Sequence, residues 1–429
     1  MTPPPLPPAA APDRLLMVMP YSQFVRKAVE AGFTVWSIWD PSLREPAYLD
    51  EVALHSEELL LTDFSDTRGL RELITATARA NGIGRILHLG SEDTMGVAVE
   101  AAEELGLSPN SAAAVHRLND KAAMRRLLDA AGLSVVRAEA AGSVDDVAAA
   151  VASVGGGFAA PVIVKPSGAS GSRGVALVRE AADLDEWAER VTAAGLVGPF
   201  LVEEYLEGPE FSVETLTVDG VHHVVGVTAK QTDGPPGFVE TGHVHPAPLS
   251  SPDESAIRTV VTGLLELAGH RFGPAHTEVI LTAAGPRIVE SQARLGGDRI
   301  PLLVEVATGF DIEAAVFRAL AGEPVLVPDP VRTASIGFFR FPAGPLESVA
   351  GLEEVRALSY VHALHFPFTP GDELPRTTDS FTRHGYVVVD GASPREAAGR
   401  IASVRERLRV VVREPVLATS LATSKGTVR

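Results

Sequence analysis

Short apolar runs alternate with amphipathic stretches in the first quarter of the chain. Apolar runs at 14–19, 33–38 and 85–89 are typical of strands, and helical patterns cover 23–31 and 94–105. Strands that alternate with helices predict a doubly wound parallel sheet. Such a sheet binds ligands at the carboxyl ends of its strands.

The stretch 90–93 follows one of these strand ends, which makes its Glu92 a candidate substrate contact. An equally good interpretation is a carboxylate at the start of the next helix, where the helix dipole favours negative charge. The first strand–helix turn lacks a GxGxxG motif, so a dinucleotide cofactor is not indicated.

The pattern changes to a compact α+β unit after residue 160. Strands at 162–165, 175–178 and 200–203 accompany a helix at 183–194, and a Gly/Ser-rich loop joins the first two strands. Later apolar runs predict further strands at 211–218, 221–229, 276–281 and 287–290. The last two of these predicted strands form a hairpin. A last α/β segment follows residue 330.

Composition narrows the possible partners. The chain of 429 residues has a net charge of −18 and no cysteine. The charge argues against nucleic-acid or anionic-membrane partners, and the lack of cysteine excludes disulfides and thiol catalysis. The first twelve residues are mostly Pro and Ala and predict a disordered tail, not a signal peptide. No run reaches the ~18 apolar residues of a membrane span, so we expect a cytoplasmic protein.

Lysine use points to particular positions. The chain has five lysines, and all other basic side chains are arginines. A lysine kept in such a chain supplies a compact charge that arginine does not reproduce. Lys27 and Lys425 fit chance retention on the surface, whereas Lys121, Lys165 and Lys230 lie among other candidate site residues.

The Gly/Ser-rich loop at 167–174 suits a phosphate. Glycines leave backbone N–H groups free to surround phosphate oxygens, and serines add hydroxyl donors. No Gly-Lys-Ser/Thr sequence closes the loop, so it is not a Walker loop, and alone it is equally consistent with a hairpin turn. Lys165, at the end of the preceding strand, favours the phosphate interpretation.

The segment 201–210 has the features of an adenine site. Such a site needs an edge strand with a free backbone donor and acceptor, an apolar floor and a carboxylate for the ribose. Gly208 and Pro209 turn the chain so that Glu210 can return toward the ribose. The alternative is a solvated acidic face.

Glu278 and Glu290 lie on the two strands of a predicted hairpin. If its turn is centred on Ala284, they face each other, and Gln292 and Arg294 share the face of Glu290. Facing carboxylates repel, and a divalent ion between them is the usual resolution. A solvated hairpin with unpaired acids is the alternative. The opposite face is marked as core by Val279, Leu281 and Val289.

Lys230 precedes a segment with two histidines, His243 and His245, on one strand face. No third metal ligand is near them in sequence. A substrate-binding His243 and a structural histidine are equally consistent with this pattern.

Taken in order, these segments resemble the ATP-grasp superfamily of carboxylate–amine ligases from about residue 14 onward. The motifs FVETGH (238–243), AHTE (275–278) and ESQAR (290–294) are similar to bacterial L-amino acid ligases, which make dipeptides. The resemblance implies an α/β (α+β) ATP-grasp fold. Its expected parts are a disordered tail (1–12), a Rossmann-like doubly wound parallel-sheet domain (13–118), a small α+β lid domain (119–206), an antiparallel-sheet domain (207–330) and a C-terminal α/β subdomain (331–429).

The resemblance also implies roles for single residues and the cofactors ATP and Mg²⁺ (or Mn²⁺). Phosphates would be bound by Lys121 and Lys165 under a lid loop that includes Ser170, Gly171, Ser172 and Gly174. Adenine would lie against Glu203, Tyr205 and Leu206, and the ribose against Glu210. The metal would be held by Glu278, Glu290 and Gln292, the last replacing the asparagine of many relatives. Arg294 and Lys230 would be catalytic, and Glu240 and His243 would contact the amino-acid substrate.

The implied reaction forms an acyl phosphate and then an amide from small-molecule carboxylate and amine substrates. The resemblance further implies a homodimer and a role in peptide natural-product biosynthesis. The glycine-rich, charged stretch 295–299 predicts a different or larger acceptor pocket than in dipeptide ligases. Three alternatives remain: a bicarbonate-using enzyme like biotin carboxylase, a non-catalytic nucleotide-binding protein, and a kinase that stops at phosphorylation.

Overall fold

A parallel sheet forms the N-terminal part of the molecule. The computed structural model describes residues 11–90, 94–168, 171–235 and 238–413. The strands of this sheet are β1 (Ala11–Val18), β2 (Thr34–Trp39), β3 (Glu58–Leu61) and β4 (Ile83–His88). They run parallel in the order β3-β2-β1-β4. The predicted doubly wound sheet is therefore confirmed, with β1 beginning inside the segment 1–12 that was predicted as a tail.

Helices cover both faces of this sheet because its strand β1 contains a continuous apolar run, which presents apolar side chains to both sides. The helices are α1 (Ser22–Glu30), α2 (Pro46–His55), α3 (Thr67–Asn81) and α4 (Met95–Glu104). On β1, Leu15 and Met17 pack in a core with residues of α1 and α2, whereas Leu16 and Val18 pack in a core with residues of α3 and α4. Both faces are thus buried, as parallel sheets require.

Two helices and a small antiparallel sheet follow. The helices are α5 (Ala112–Asn119) and α6 (Lys121–Ala131). The sheet and its own helices consist of β5 (Ala138–Ala141), α7 (Val144–Gly155), β6 (Val162–Pro166), β7 (Ala176–Val178), α8 (Ala181–Ala193) and β8 (Phe200–Glu204). The strand order is β5-β8-β6-β7. Trp187 and Phe200 meet edge to face at 5.1 Å between ring centroids in the core of this unit.

The largest sheet is antiparallel and carries most of the candidate site. Its order is β13-β12-β9-β10-β11-β14-β18-β16. The strands are β9 (Glu210–Val218), β10 (Val221–Thr232), β11 (Glu240–His245), β12 (Gly273–Thr282), β13 (Gly285–Gln292), β14 (Thr333–Phe338), β16 (Val361–His365) and β18 (Tyr386–Gly391). The helices inserted between them are α9 (Ser251–Ala268), α10 (Ile300–Thr308) and α11 (Ile312–Leu320). The sheet continues across residue 330, the predicted border of the last subdomain.

The remaining elements form a small C-terminal layer. They are β15 (Gly344–Ala350), α12 (Leu352–Arg356), β17 (Glu373–Leu374), α13 (Pro394–Arg407) and β19 (Arg409–Val412). The three strands pair in the order β17-β15-β19. Among the described residues, no helix is both long and apolar enough to cross a bilayer.

Candidate active site

Lys165 and Glu203 form a buried ion pair in the small sheet. Lys165 Nζ lies 2.6 Å from Glu203 Oε2, and both side chains are almost fully buried. Arg125 of α6 also donates from Nε to Glu203. Burial alone would raise the pKa of the Glu203 carboxyl, but Lys165 and Arg125 lower it to about 2. The carboxylate is therefore ionised and neutralised by two cations.

Arg125 joins this pair to the large sheet. Its Nη1 and Nη2 donate to the carbonyl oxygens of Ile288 and Val289 at 2.5 and 3.1 Å. Arg125 was not among the site residues predicted from the sequence. Its signal is its spacing, since it lies four residues after Lys121 and therefore on the same helix face.

The prediction that the adenine site uses an edge strand is wrong, because the strand in question is not at an edge. β8 is an interior strand that pairs with β5 on one side and β6 on the other. Glu204 N donates to Arg137 O, and Tyr205 N donates to Pro161 O. The short, weakly patterned β5 gives little sequence signal, so its pairing was missed. Tyr205 and Leu206 lie just beyond the strand and are half-buried.

Lys230 forms ion pairs with three carboxylates on neighbouring strands. Its Nζ lies 2.7 Å from Glu210, 2.6 Å from Glu278 and 3.7 Å from Glu240. These residues meet because β12, β9, β10 and β11 are adjacent. Burial would lower the pKa of Lys230, but Glu210 and Glu278 raise it well above its ordinary value. Burial raises the pKa of Glu210; Lys230 opposes this, and Glu278 adds to it.

The predicted facing of Glu278 and Glu290 is confirmed, but the predicted turn is wrong. The two residues are direct partners across β12 and β13. The turn pairs Thr282 with Gly285, so only two residues connect the strands. A bulge after the Val279–Ile288 pair then shifts the register by one residue and brings the glutamates opposite each other.

The bulge also changes which residue enters the core. Ile288 is fully buried in the core, whereas Val289 is only half-buried. The prediction of Val289 as a core residue is therefore wrong. Val279 is buried as predicted.

Each facing glutamate has a lysine beside it. Glu290 Oε2 lies 3.0 Å from Lys121 Nζ, and Glu290 Oε1 accepts from Gln292 Nε2 at 2.8 Å. Burial raises the pKa of Glu290, but the nearby Lys121 brings it below the ordinary value. Lys230 and His276 likewise overcome burial to hold the pKa of Glu278 well below its ordinary value.

These oxygens fit a magnesium ion. Gln292 Oε1 is buried and has no hydrogen-bond partner among the described residues. It stands beside the carboxylate of Glu290, so the side chains offer hard oxygen donors of the kind that Mg²⁺ prefers. In the described ranges, no cluster of three His, Asp or Glu side chains could hold a metal alone. Any ion bound here therefore takes further ligands from a phosphate or from water.

A buried pair behind Glu278 was missed by the sequence analysis. His276 Nδ1 lies 2.5 Å from Glu214 Oε1, and His276 Nε2 lies 3.4 Å from Glu278 Oε1. Glu214 also accepts from Gly296 N at 3.0 Å. The position of His276 two residues before Glu278, on the same strand face, is the signal that could have identified it.

The protonation of His276 should make the stability of the fold depend on pH. Burial would lower its pKa, but Glu214 raises it to about 9, above the ordinary 6.5. A group whose pKa is higher in the folded state than in the unfolded state stabilises the fold when it is protonated. Its full contribution is present below the unfolded-state pKa. That stability, up to about 3 kcal/mol at about 1.4 kcal/mol per pKa unit, is lost as pH rises from about 6.5 through about 9. We expect urea denaturation in chelator to show a steeper loss over this range in the native chain than in His276→Gln. Equal slopes for the two proteins would contradict the assignment.

Gly296 is packed and does not enlarge a pocket. A Cβ at Gly296 would lie 2.7 Å from Glu214 Oε1 and 2.8 Å from His276 Nδ1. Gly296 therefore leaves no room for a side chain, whereas Gly297 faces open space; the different or larger acceptor pocket expected from the stretch 295–299 stays a prediction. Arg294, half-buried just after β13, donates from Nη1 to Leu295 O at 2.8 Å.

His243 and His245 have different surroundings. His243 is buried, with Nε2 at 3.1 Å from Asp298 Oδ2 and its ring edge-on to Phe338. His245 contacts Thr228 Oγ1 through Nδ1 at 3.0 Å, and burial lowers its pKa to about 4. His245 is therefore a neutral core histidine.

The described part of the Gly/Ser loop is tightly turned. Gly171, Ser172 and Gly174 have φ values of 68°, 62° and 72°. Ser172 Oγ donates to Phe238 O at 3.2 Å, which brings the loop to the segment that leads into Glu240. Ser170 and Glu92, two predicted site residues, lie outside the described residues.

Comparison with known proteins agrees with this geometry. Residues 158–301 match the ATP-grasp domain, and residues 337–413 match the L-amino acid ligase C-terminal domain 2. The crystal structure of an L-amino acid ligase from Bacillus licheniformis has a similar fold. It superposes with a TM-score of 0.79 at 23% identity, over 94% of this chain and 99% of that one.

Two curated relatives add to this comparison. Dapdiamide A synthase of Enterobacter agglomerans is 24% identical over 74% of this chain and 77% of its own length. Alanine–anticapsin ligase of Bacillus subtilis is 25% identical over 54% of this chain. The match spans about half, 52%, of that ligase. The chain thus contains an ATP-grasp domain and an L-amino acid ligase C-terminal domain, and its relatives indicate an ADP-forming ligase.

Proposed function

We propose that the protein joins two amino acids by an amide bond, with ATP activating the carboxylate of the first. The observation that carries the proposal is the facing pair Glu278 and Glu290, each beside a buried lysine, with Gln292 hydrogen-bonded to Glu290. This arrangement offers oxygen ligands for one cation and ammonium groups for phosphates. Phosphoryl transfer depends mainly on such positioning and charge neutralisation.

In this proposal, ATP lies between the small sheet and the large sheet. Lys121 and Lys165 bind its phosphates, and the loop of Gly171, Ser172 and Gly174 closes over them. Tyr205 and Leu206 contact the adenine. The side chain of Glu203 is held by Lys165 and Arg125, and its backbone pairs within the small sheet, so Glu203 would shape the adenine site without binding the base directly. Glu210 binds the ribose from the start of β9.

Glu278, Glu290 and Gln292 would hold Mg²⁺, or Mn²⁺, together with phosphate oxygens. When bound, the ion would neutralise part of the negative charge on the ATP phosphates. Lys230 keeps Glu278 ionised and holds Glu210 and Glu240 near it.

The chemistry has two steps. A carboxylate oxygen of the first amino acid attacks the γ-phosphorus, and the bond from that phosphorus to the β–γ bridging oxygen breaks to release ADP. The amine nitrogen of the second amino acid then attacks the acyl carbon and loses a proton, and inorganic phosphate leaves. Arg294 stabilises the negative charge that develops at the acyl group. Glu240 and His243 contact the amino-acid substrate.

The test is ADP release from Mg-ATP across a matrix of single and paired amino acids, with products identified by mass. We expect release that requires a pair and a product with the mass of the amide. Release with bicarbonate and biotin but with no amino acid would contradict the proposal. So would a stable phosphorylated product without an amine, or tight ATP binding without turnover.

The proposal extends to a homodimer in the cytoplasm. Sedimentation velocity of the purified chain tests the assembly, for which we expect twice the mass of one chain. A monomer at all concentrations would contradict this part alone.

A further inference from the structure

A short turn of the C-terminal layer reaches into the candidate site. It comprises Asp379–Arg383, between β17 and β18, and its shape is fixed by its own side chains. Asp379 accepts hydrogen bonds from the backbone N–H groups of Phe381 and Thr382, both at 3.0 Å. The residues that point out of this turn are therefore held in place.

One side of the turn holds the residues assigned to the amino-acid substrate. Arg383 makes a two-pronged contact with Asp298, with Nη1 at 2.9 Å from Oδ2 and Nη2 on Oδ1. Asp298 in turn contacts His243 Nε2 at 3.1 Å. Ser380 Oγ donates to Glu240 Oε2. The turn thus reaches both predicted substrate residues on β11.

The Arg383 side chain is itself fixed. Its guanidinium lies 3.6 Å from the centroid of Phe338, the ring that His243 meets edge-on, and its Nε donates to Ser380 O at 2.7 Å. His243 Nδ1 is buried and has no partner among the described residues. With Nε2 occupied by Asp298, Nδ1 is the ring nitrogen available to a ligand.

The other side of the turn contacts the Gly/Ser-rich loop at 167–174, the phosphate loop. Ser380 N donates to Gly171 O at 3.3 Å. The ring of Phe381 lies so close to Gly171 that a Cβ there would come within 2.4 Å of it. The Arg173 guanidinium lies 5.4 Å from the centroid of the same ring. Phe381 is 68% exposed with the loop against it, so most of its apolar surface still faces solvent.

We propose that Arg383 is a positioning residue of the amino-acid pocket, and that the turn Asp379–Arg383 couples this pocket to the phosphate loop through Phe381. This inference rests on the proposed function. A bidentate Arg–Asp contact fixes direction as well as distance, so Asp298 holds the His243 ring in one orientation. Since the same rigid turn carries Phe381, an ordered pocket and a docked loop favour each other.

Steady-state kinetics of the full chain test the positioning role. In Arg383→Gln, we expect the KM for the amino acids to rise by roughly 10- to 100-fold, the effect of losing a charge-assisted hydrogen bond, with the KM for ATP nearly unchanged. Arg383→Lys should recover part of the loss. Arg376→Gln, a change of an exposed arginine in the same layer, is the matched control. Equal KM values in Arg383→Gln and the native chain would overturn the positioning role.

Trypsin cleavage after Arg173 tests the coupling without any need for ligase activity. With the non-hydrolysable ATP analogue and Mg²⁺ present, we expect Phe381→Ala to be cut there several-fold faster than the native chain, and Arg383→Gln to be cut faster too. Equal cleavage of all three proteins would overturn the coupling. A native chain that makes no amide from any pair would instead refute the proposed function, and the cleavage rates would still decide whether the turn docks the loop.

Discussion

Replacing Arg294 with alanine is expected to lower kcat for amide formation by roughly 10²- to 10³-fold, the usual effect of removing one group that stabilises developing charge. Arg294 lies two residues after Gln292, the last residue of β13, and is half-buried. The KM for ATP should change little, because its phosphates are assigned to Lys121 and Lys165. Initial rates of ADP release and amide formation at saturating substrates give the measurement.

Arg376→Ala is the matched control for this variant. Arg376 is an exposed arginine that follows β17. We expect its kcat to stay close to that of the native chain. A rate in Arg294→Ala that matches the control would remove Arg294 from the chemistry and leave charge stabilisation to the lysines.

Arg125→Ala is expected to destabilise the fold by about 2–3 kcal/mol, because buried acceptors lose their hydrogen bonds from a charged donor. The change leaves Glu203 with Lys165 alone and leaves the carbonyl groups of Ile288 and Val289 without their guanidinium donor. Urea denaturation without ligands measures the free energy of unfolding. Because Arg125 joins the small sheet to β13, affinity for ATP should fall as well.

Arg68→Ala provides the comparison for a surface ion pair. Arg68 and Glu72 are paired on α3, with most of both side chains exposed. Such pairs contribute little to stability, so this variant should unfold like the native chain. If Arg125→Ala also unfolds like the native chain, the contacts of Arg125 do not stabilise the junction between the sheets.

The sequence by itself determined the kinds of elements and many of the faces. Short continuous apolar runs that alternate with helical patterns predict the doubly wound parallel sheet, and this sheet is confirmed by β1–β4. The sparse lysines drew attention to Lys121, Lys165 and Lys230, which are all buried beside carboxylates. These inferences succeed because strand and helix periodicity is local, and because a buried charge needs a partner.

The tertiary structure decided the register and the partners. The bulge at Val289 depends on packing, since Ile288 enters the core and the turn takes only two residues. A one-residue shift moves every side chain to the other face. The facing of Glu278 and Glu290 was therefore predicted from a turn that the chain does not have.

The supporting residues could only be found in three dimensions. Arg125 meets Glu203 across 78 residues of sequence, and Arg383 meets Asp298 across 85. Glu214 and His276 are neighbours only because β9 pairs with β12. A local pattern fixes the direction in which each side chain points along its own element. The order of strands in a sheet and the packing of one layer on another fix which side chain it meets, and no periodicity in the sequence encodes that choice.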